Sequence, residues 1–348
     1  MGFVLTPEQA QALIAKDPRN RDVLFPFLNG EDLNSRPDQS PSRWIINFFD
    51  WPIEKAKQYP DCFRIVEEKV KPERMRLKPG TNEFALRKPL PQKWWHYAEK
   101  RPALYRTIAG LERVLFHSFT SKYLQFAFAP HGYVYAGPHN VFAIDTFGGF
   151  ALVQNSFHDA WVFSNCSTME TRMRYATDDL FETFPFPENP GSRDPGSPLD
   201  EIGERYHAHR QSIMLARQEG LTKTYNRFHD RGESSADIQK LRELHVEMDQ
   251  AVAAAYGWTE TGGLHPPLAL GHGFHETKQG VRFTISEPAR REVLQRLLKL
   301  NHERYAAEVK QGLHSKKKGA AKKAAPKKKT ASKPAKQEAS LFDGEDDE

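Results

Sequence analysis

A proline- and glycine-rich stretch at residues 188–198 divides the chain into two parts with different hydrophobic patterns. Before it, residues 84–187 contain short aromatic-rich runs separated by Gly, Pro and Asn. After it, apolar residues recur at helical spacing. Because proline and glycine interrupt both helices and strands, residues 188–198 are expected to be a linker between a β-rich domain and a helical segment.

The segment 84–187 is expected to be an antiparallel β region, because short aromatic and β-branched runs with turn residues between them are typical of strands. The expected strands are Val114–Phe119, Tyr123–Ala129, Gly132–Ala136 and Val141–Ile144. Phe150–Phe157 is expected to form a helix within this region.

Residues 1–83 have a mixed pattern and are expected to form an α/β segment that leads into the β region. Thr6 is a helix N-cap, followed by a proline and, three residues after the cap, by Gln9, so a helix to Lys16 is predicted. The other expected elements are strands Val23–Leu28 and Trp44–Phe48, a polar loop Asn29–Pro37, and helices Pro52–Tyr59 and Cys62–Lys71.

Residues 199–312 are expected to be a helical segment whose helices pair with one another and dock on the β region. The expected helices are Leu199–Gln218, Ser234–Tyr256 and Ser286–Lys310, and Gly257 is expected to cap the second of them. The fold class is therefore α+β, with a tail at residues 313–348 that is expected to be disordered because it contains almost nothing to bury.

The positive charge is concentrated in that tail. After Gly312 there are ten lysines and six acidic residues, which leaves 40 basic and 39 acidic residues in 1–312. The tail is expected to bind polyanions non-specifically, although a solvated tail that aids solubility is the alternative. Gln337–Phe342 resembles a loose variant of the sliding-clamp-binding peptide, and an incidental hydrophobic pair explains it equally well.

Motifs for several catalytic chemistries are missing from the sequence. There is no glycine-rich dinucleotide or phosphate loop and no nucleophile elbow. Cys62 and Cys166, the two cysteines of the chain, exclude a disulfide framework and a zinc site built mainly on thiolates. The histidine pairs at 207/209 and 272/275 lack further ligands. Asp61 with Glu67–Lys69 offers a nuclease alternative, but the spacing favours a solvated helix face.

No apolar run approaches the roughly 18 residues of a membrane-spanning helix, and no signal peptide is evident, so a cytoplasmic location without a membrane partner is expected.

Binding features are more suggestive than catalytic ones. The guanidinium group of arginine forms paired hydrogen bonds with guanine or phosphate, and aromatic rings stack on unpaired bases. Arginine, lysine and tyrosine side chains cluster at expected turns, although structural salt bridges and core aromatics would also explain many of them.

Three blocks of sequence, in order, resemble one family. The first consists of Leu28–Pro37, Arg43–Phe48 and Val70–Arg74; the second of Ser156–Trp161, Arg174–Tyr175 and Asp179–Pro187; the third of Ala255–Trp258, Arg282–Phe283 and Leu297–Tyr305. Together they resemble the C-terminal half of type IIG-like adenine-N6 DNA methyltransferases of restriction–modification and phage-defence systems. That half comprises a target-recognition domain and a helical segment.

The resemblance implies that the chain binds double-stranded DNA in a sequence-specific way. In the family, S-adenosylmethionine and the Asn-Pro-Pro-Tyr motif belong to an upstream domain, and neither that motif nor a cofactor loop occurs here. No cofactor is therefore expected in this chain, and S-adenosylmethionine is expected on a separate methyltransferase catalytic subunit. The residues expected to contact DNA are Lys122, Tyr123, Arg172, Arg174, Tyr175, Asn29, Asn34 and Arg36.

Other interpretations remain open at this level. A split gene, an alternative start or a truncated copy would each give such a sequence. The chain is then the recognition subunit of a split enzyme, a free-standing DNA-binding or inhibitory protein, or an inactive relic. There are two alternatives to DNA contact for the loop Asn29–Arg36. It would contact the catalytic partner, or it would serve as a structural turn.

Overall fold

Besides a 3-10 helix at Pro18–Asp22, the first 112 residues of the computed structural model contain six α-helices and three short strands among the described positions. In chain order these are β1 (Val4–Leu5), α1 (Pro7–Lys16), β2 (Leu24–Leu28), α2 (Gly30–Ser35), β3 (Arg43–Ile46), α3 (Ile53–Ala56), α4 (Pro60–Lys69), α5 (Lys71–Arg74) and α6 (Pro102–Thr107). The structure describes residues 2–169, 172–188, 194–260 and 266–313. Residues 189–193 of the expected linker lie outside these ranges, as does the expected tail after Leu313, including Gln337–Phe342.

Helix α1 confirms the prediction made from its cap. The Thr6 side chain accepts a hydrogen bond from the backbone of Gln9, whose own side chain accepts from the backbone of Thr6. The expected polar loop at Asn29–Pro37 was wrong, because α2 occupies most of it. Asn29 caps this helix by accepting from the backbone amides of Glu31 and Asp32.

The following part of the chain is the expected β region, with three helices inserted. Its elements are β4 (Arg113–His117), β5 (Thr120–Ser121), β6 (Ala127–Pro130), β7 (Val134–Tyr135), β8 (Asn140–Phe142), α7 (Phe147–Gln154), α8 (Ser156–Asn165), β9 (Ser167–Met169), β10 (Arg172–Arg174) and α9 (Thr177–Leu180). The helix expected at Phe150–Phe157 is present as α7 and the start of α8, with Asn155 between them as N-cap of α8.

Three sheets organise these strands. A four-stranded sheet has the order β1-β3-β2-β7, and two three-stranded antiparallel sheets have the orders β6-β4-β8 and β5-β10-β9. Strand β7 pairs in parallel with β2, through Phe27 with Val134 and Leu28 with Tyr135. The β region therefore completes the sheet that the N-terminal segment begins.

The helical segment contains the three predicted long helices and two features that were not predicted. Its elements are α10 (Pro198–Arg217), α11 (Leu221–Phe228), α12 (Ala236–Ala255), β11 (Gly273–Thr277), β12 (Gly280–Thr284) and α13 (Glu287–Lys310). Helix α11 and the hairpin β11–β12 are the unpredicted elements. Gly257 follows α12 with a φ of 70°, as its predicted capping role requires.

Helix α10 joins the helical segment to the β region by packing against both α7 and α12. The closest approach is at Gly203, where a Cβ atom would overlap the carbonyl oxygen of Phe147. Farther along α10, the buried guanidinium of Arg210 donates to the carbonyl oxygen of Phe126 at 2.7 Å and to the hydroxyl of Tyr225 at 3.0 Å. The expected docking of the helices on the β region is thus confirmed.

Within the part of the chain that the structure describes, no helix combines the length and apolar character needed to cross a lipid bilayer. Residues 1–304 form one compact unit, and a second unit is assigned to Tyr305–Glu348.

Replacing Gly203 with alanine tests the contact between α10 and α7. Alanine favours a helix over glycine by about 1 kcal/mol, but here its methyl group meets backbone that cannot rotate away. Overpacking of this kind costs about 1–3 kcal/mol, so Gly203→Ala should lower the free energy of unfolding in urea. Gly110→Ala is the matched control, because its Cβ points into open space and no destabilisation is expected.

Candidate nucleic-acid interface

Strand β10 presents two of the predicted arginines on one face. It lies between β5 and β9, with Met173 opposite Ser121 and Arg174 opposite Thr120. Side chains alternate along a strand, and Met173 is buried here while Arg172 and Arg174 are exposed. The two guanidinium groups therefore leave the same side of a sheet whose other side is packed.

Arg174 is held in place without losing its hydrogen-bonding capacity. Its guanidinium lies 5.0 Å from the centre of the Phe119 ring, and it forms no ion pair with any described residue. A cation–π contact orients the planar group but uses none of its N–H donors. Those donors remain available for an external partner such as a guanine edge or a phosphate.

Lys122 lies directly after β5 and is exposed. Its ammonium group donates to Oδ1 of Asn226 on α11 at 2.8 Å, and the same oxygen accepts from the hydroxyl of Tyr123 at 2.7 Å. This bond positions Lys122 beside the strand that carries Arg174. An exposed lysine can exchange such a contact for a phosphate at little cost.

Tyr123 is buried and joins three parts of the fold. Its ring stacks on His229 with centroids 4.9 Å apart, and the Arg282 guanidinium lies 4.5 Å from its centre. Burial, reinforced by the charge of Arg282, holds the pKa of His229 well below its ordinary value, so this ring is neutral. The structure thus gives Tyr123 a role in joining the β region to α11 and the hairpin β11–β12.

Tyr175 lies in the core, with no exposed surface. Its hydroxyl is 3.1 Å from Nε2 of His158, and burial raises the pKa of that hydroxyl above its ordinary range. The His158 ring is neutral because burial lowers its pKa to about 4. A side chain enclosed in this way cannot contact DNA in this conformation, and alternation along β10 is the reason for its burial.

Of the three predicted residues around α2, only Arg36 is exposed to solvent. Asn29 caps the helix, and Asn34 turns inward, where its amide donates to Oγ of Ser118 at 2.9 Å. Its amide oxygen accepts from Gln125 at 2.6 Å. Arg36 contacts Asp38 and Ser40 close to it in sequence. Asn29 and Asn34 therefore have structural roles here.

Helix α2 is held firmly against the turn that supports Arg174. The backbone amide of Gly30 lies 3.0 Å from Nε2 of His139, and that of Phe119 lies 3.3 Å from Nδ1 of the same ring. Burial lowers the pKa of His139, and a neutral imidazole accepts on one nitrogen at a time, so it accepts from one of these two amides. Gly30 fits because a Cβ there would lie 2.6 Å from Cε1 of His139.

A cleft of about 650 Å³ opens beside Tyr123, between α8, the hairpin β11–β12 and the start of α13. The carboxyl group of Asp159, half-buried on the wall of the cleft, forms no hydrogen bond or ion pair with a described residue. Burial raises the pKa of its carboxyl group to about 7, and Arg282 and Arg290 oppose that rise. No sequence pattern predicted this cleft, because its walls come from segments far apart in the chain.

A polar network at the base of the cleft resembles a catalytic triad only in composition. Ser156 Oγ lies 3.0 Å from Nε2 of His245, and Asp249 Oδ1 accepts from the backbone of Ser156 at 2.8 Å. In a triad the acid faces the other imidazole nitrogen, but Nδ1 of His245 has no partner among the described residues. Asp249 bonds instead to His272, at 2.8 Å. The arrangement cannot activate a serine nucleophile.

Among the described residues, no group of three or more His, Cys, Asp or Glu side chains is placed to hold a metal ion. Asp61 forms an ion pair with Lys16 at 2.6 Å on the surface of the N-terminal segment. Among the features described in this section, the exposed face of β10 that carries Arg172 and Arg174 is therefore best suited to bind an external partner.

Comparison with known proteins identifies a family and a fold. The family model described as MmeI, target recognition domain, matches residues 1–188. The solved structure of the type IIL restriction-modification enzyme MmeI in complex with DNA is similar in fold to this chain, with a TM-score of 0.58 and 16% sequence identity. The match covers 88% of this chain. This chain covers 34% of that enzyme chain. No curated protein matches.

The titration of Asp159 yields a prediction about stability. Because its folded-state pKa of about 7 lies above its ordinary 3.8, the folded state holds the proton more tightly. The stability that Asp159 contributes through this tighter proton binding is fully present below pH 4 and is lost as the pH rises towards 7. Asp159→Asn should therefore gain stability relative to wild type as the pH rises from about 4 to about 7, as measured by urea unfolding at each pH.

Asp179→Asn, at an exposed position on α9, controls for the loss of one negative charge. A stability difference between Asp159→Asn and wild type that stays constant with pH would show that Asp159 titrates as an exposed carboxyl group does.

Proposed function

Because this chain belongs to the MmeI target recognition domain family, we propose that it selects a short duplex DNA sequence for an adenine-specific (N6) methyltransferase of a restriction–modification system. The family match covers 188 of 348 residues and includes the strands and helices that carry the β10 face. In this proposal the chain reads base edges in the major groove and holds the site while the target adenine is methylated.

The observation that carries the proposal is the exposed pair Arg172 and Arg174 on a strand whose opposite face is packed. Arginine forms two parallel hydrogen bonds with O6 and N7 of guanine, a pairing that no other base pair reproduces in the major groove. A rigid sheet suits this task, because recognition needs the guanidinium plane to be fixed before binding. Lys122, at the end of the neighbouring strand, is placed to contact a phosphate.

Methyl transfer itself requires groups outside these 348 residues. The sequence contains no Asn-Pro-Pro-Tyr motif and no glycine-rich cofactor loop. We therefore assign S-adenosylmethionine binding and base flipping to a separate catalytic subunit, and a role in defence against foreign DNA to the assembled enzyme. Purification from the native host should recover a second polypeptide with the missing motifs, identified by mass spectrometry.

Selection from a randomised duplex pool tests recognition directly. The full chain should enrich a short sequence, and a chain ending at Leu313 should enrich the same one, because base readout belongs to the body. Arg174→Gln should lose about 1–3 kcal/mol of discrimination at one base pair, or about 5- to 150-fold. Binding to an unrelated duplex should fall much less.

The matched control is Arg64→Gln, which removes an exposed arginine from α4, away from β10. This variant should keep both the enriched sequence and its affinity. If the full chain enriched no sequence, or if binding vanished with the tail, the proposed recognition role would be refuted. Equal losses in Arg174→Gln and Arg64→Gln would remove β10 from the interface.

A further inference from the structure

Residues 71–106, here called the basic arm, carry a charge that the remainder of the body lacks. The arm contains ten basic and three acidic residues. The other residues of 1–312 contain 30 basic and 36 acidic residues. The near-neutral body is therefore a cationic arm attached to an anionic remainder, and such an asymmetry is typical of a surface that binds a polyanion.

Much of the basic arm is an ordered segment without regular secondary structure. Between α5 and α6 the structure shows one isolated bridge, Leu77 with Phe84, beside a backbone hydrogen bond of 2.8 Å from Ala85 to Arg76. Long irregular segments inside a compact fold are uncommon and are usually functional, because they forgo the hydrogen bonds of helices and sheets.

Buried groups fix the arm to the core. The guanidinium of Arg74 donates to the carbonyl oxygens of His96, at 2.6 Å, and Trp94, at 3.2 Å. The Trp94 ring is buried and packs on Phe63, and the indole N–H of Trp95 donates to the carbonyl oxygen of Trp51 at 2.9 Å. The backbone is therefore positioned before a partner arrives, which lowers the entropy cost of binding.

Eight of the ten cations of the arm divide into two sets, and the other two, Arg74 and Arg101, are buried and half-buried. Some are neutralised nearby, since Lys71 pairs with Glu67, Lys78 with Glu83 and Lys100 with Asp50. Five others are exposed and form no ion pair with any described residue. These five are Arg76, Arg87, Lys88, Lys93 and Arg106. Exposed cations without acidic partners need not break an ion pair to bind a phosphate.

The end of the arm is connected to the β10 face through residues 137–139. Oε2 of Glu99 accepts from the backbone amide of Gly137 at 2.7 Å. Two residues later, His139 contacts the backbone of Phe119, whose ring lies under Arg174. An unbroken series of contacts thus runs from the arm to the arginine proposed to read bases.

We propose that the basic arm binds the phosphate backbone of duplex DNA and supplies the salt-dependent part of the affinity, while the β10 face supplies the sequence preference. The proposal rests on the proposed function, because it assigns the arm to the same DNA. An acidic protein surface would also match five free cations, but the connection from the arm through residues 137–139 to the β10 face favours DNA.

Charge removal in the full chain tests the arm. The five-fold variant Arg76→Gln, Arg87→Gln, Lys88→Gln, Lys93→Gln, Arg106→Gln is titrated against the selected duplex and a scrambled duplex at several salt concentrations. Each lost phosphate contact lowers the magnitude of the slope of log K against log salt by about 0.9, so the loss of all five should lower it by up to about 4.5. Both duplexes should lose affinity equally, because phosphates carry no sequence information.

The control variant removes five exposed cations away from the arm and from β10. These are Arg21, Lys57, Lys240, Lys299 and Lys310, each replaced by glutamine. Its slope should stay close to that of wild type. Matching far-UV circular dichroism spectra and urea midpoints would establish that both variants are folded.

Several results would overturn the proposal. An unchanged slope, or an equal change in the control variant, would remove the arm from the DNA interface. Loss of preference for the selected duplex with an unchanged slope would make the arm a base-reading element. Loss of a co-purifying catalytic subunit, with DNA binding intact, would make it a protein-docking surface. If wild type shows no preference between duplexes, the proposed function fails, but the slopes on the scrambled duplex still test the arm.

Discussion

Burial of Tyr175 against His158 determines which face of β10 meets solvent. The tyrosine hydroxyl and the neutral imidazole satisfy each other inside an aromatic core, where an unpaired polar group would be costly. With Tyr175 and Met173 turned inward, strand geometry leaves Arg172 and Arg174 no position except outward. The candidate recognition face therefore follows from the packing of its opposite side.

Local sequence signals predicted the elements that depend on local interactions. The cap at Thr6 set α1, and apolar spacing set α10, α12 and α13. Asn29 was misread because asparagine followed by glycine serves turns and helix starts alike. Strand alternation could have separated Tyr175 from its arginine neighbours, but β10 was not assigned as a strand. The parallel pairing of β7 with β2 joins residues about a hundred positions apart, which no local pattern reveals.

The candidate site shows the same division. The exposure of Arg174 and Lys122 could be predicted from residue type, because cationic side chains at turns are usually exposed. The sequence could not show that Asn34, unlike these two residues, points inward. Its amide is held by Ser118 and Gln125, which are distant in sequence. The excess of basic residues in the basic arm can be counted from the sequence, although no prediction was made from it. What the structure adds is which cations lack acidic partners, and this decides how they can be used.

Amide hydrogen exchange of the full chain, with and without its selected duplex, tests the central claim most directly. Bound DNA should slow exchange in residues 120–122 and 172–174 and in the basic arm, and should leave α12 unchanged. Slower exchange confined to residues beyond Leu313 would contradict the account, because the body would then take no part in binding DNA.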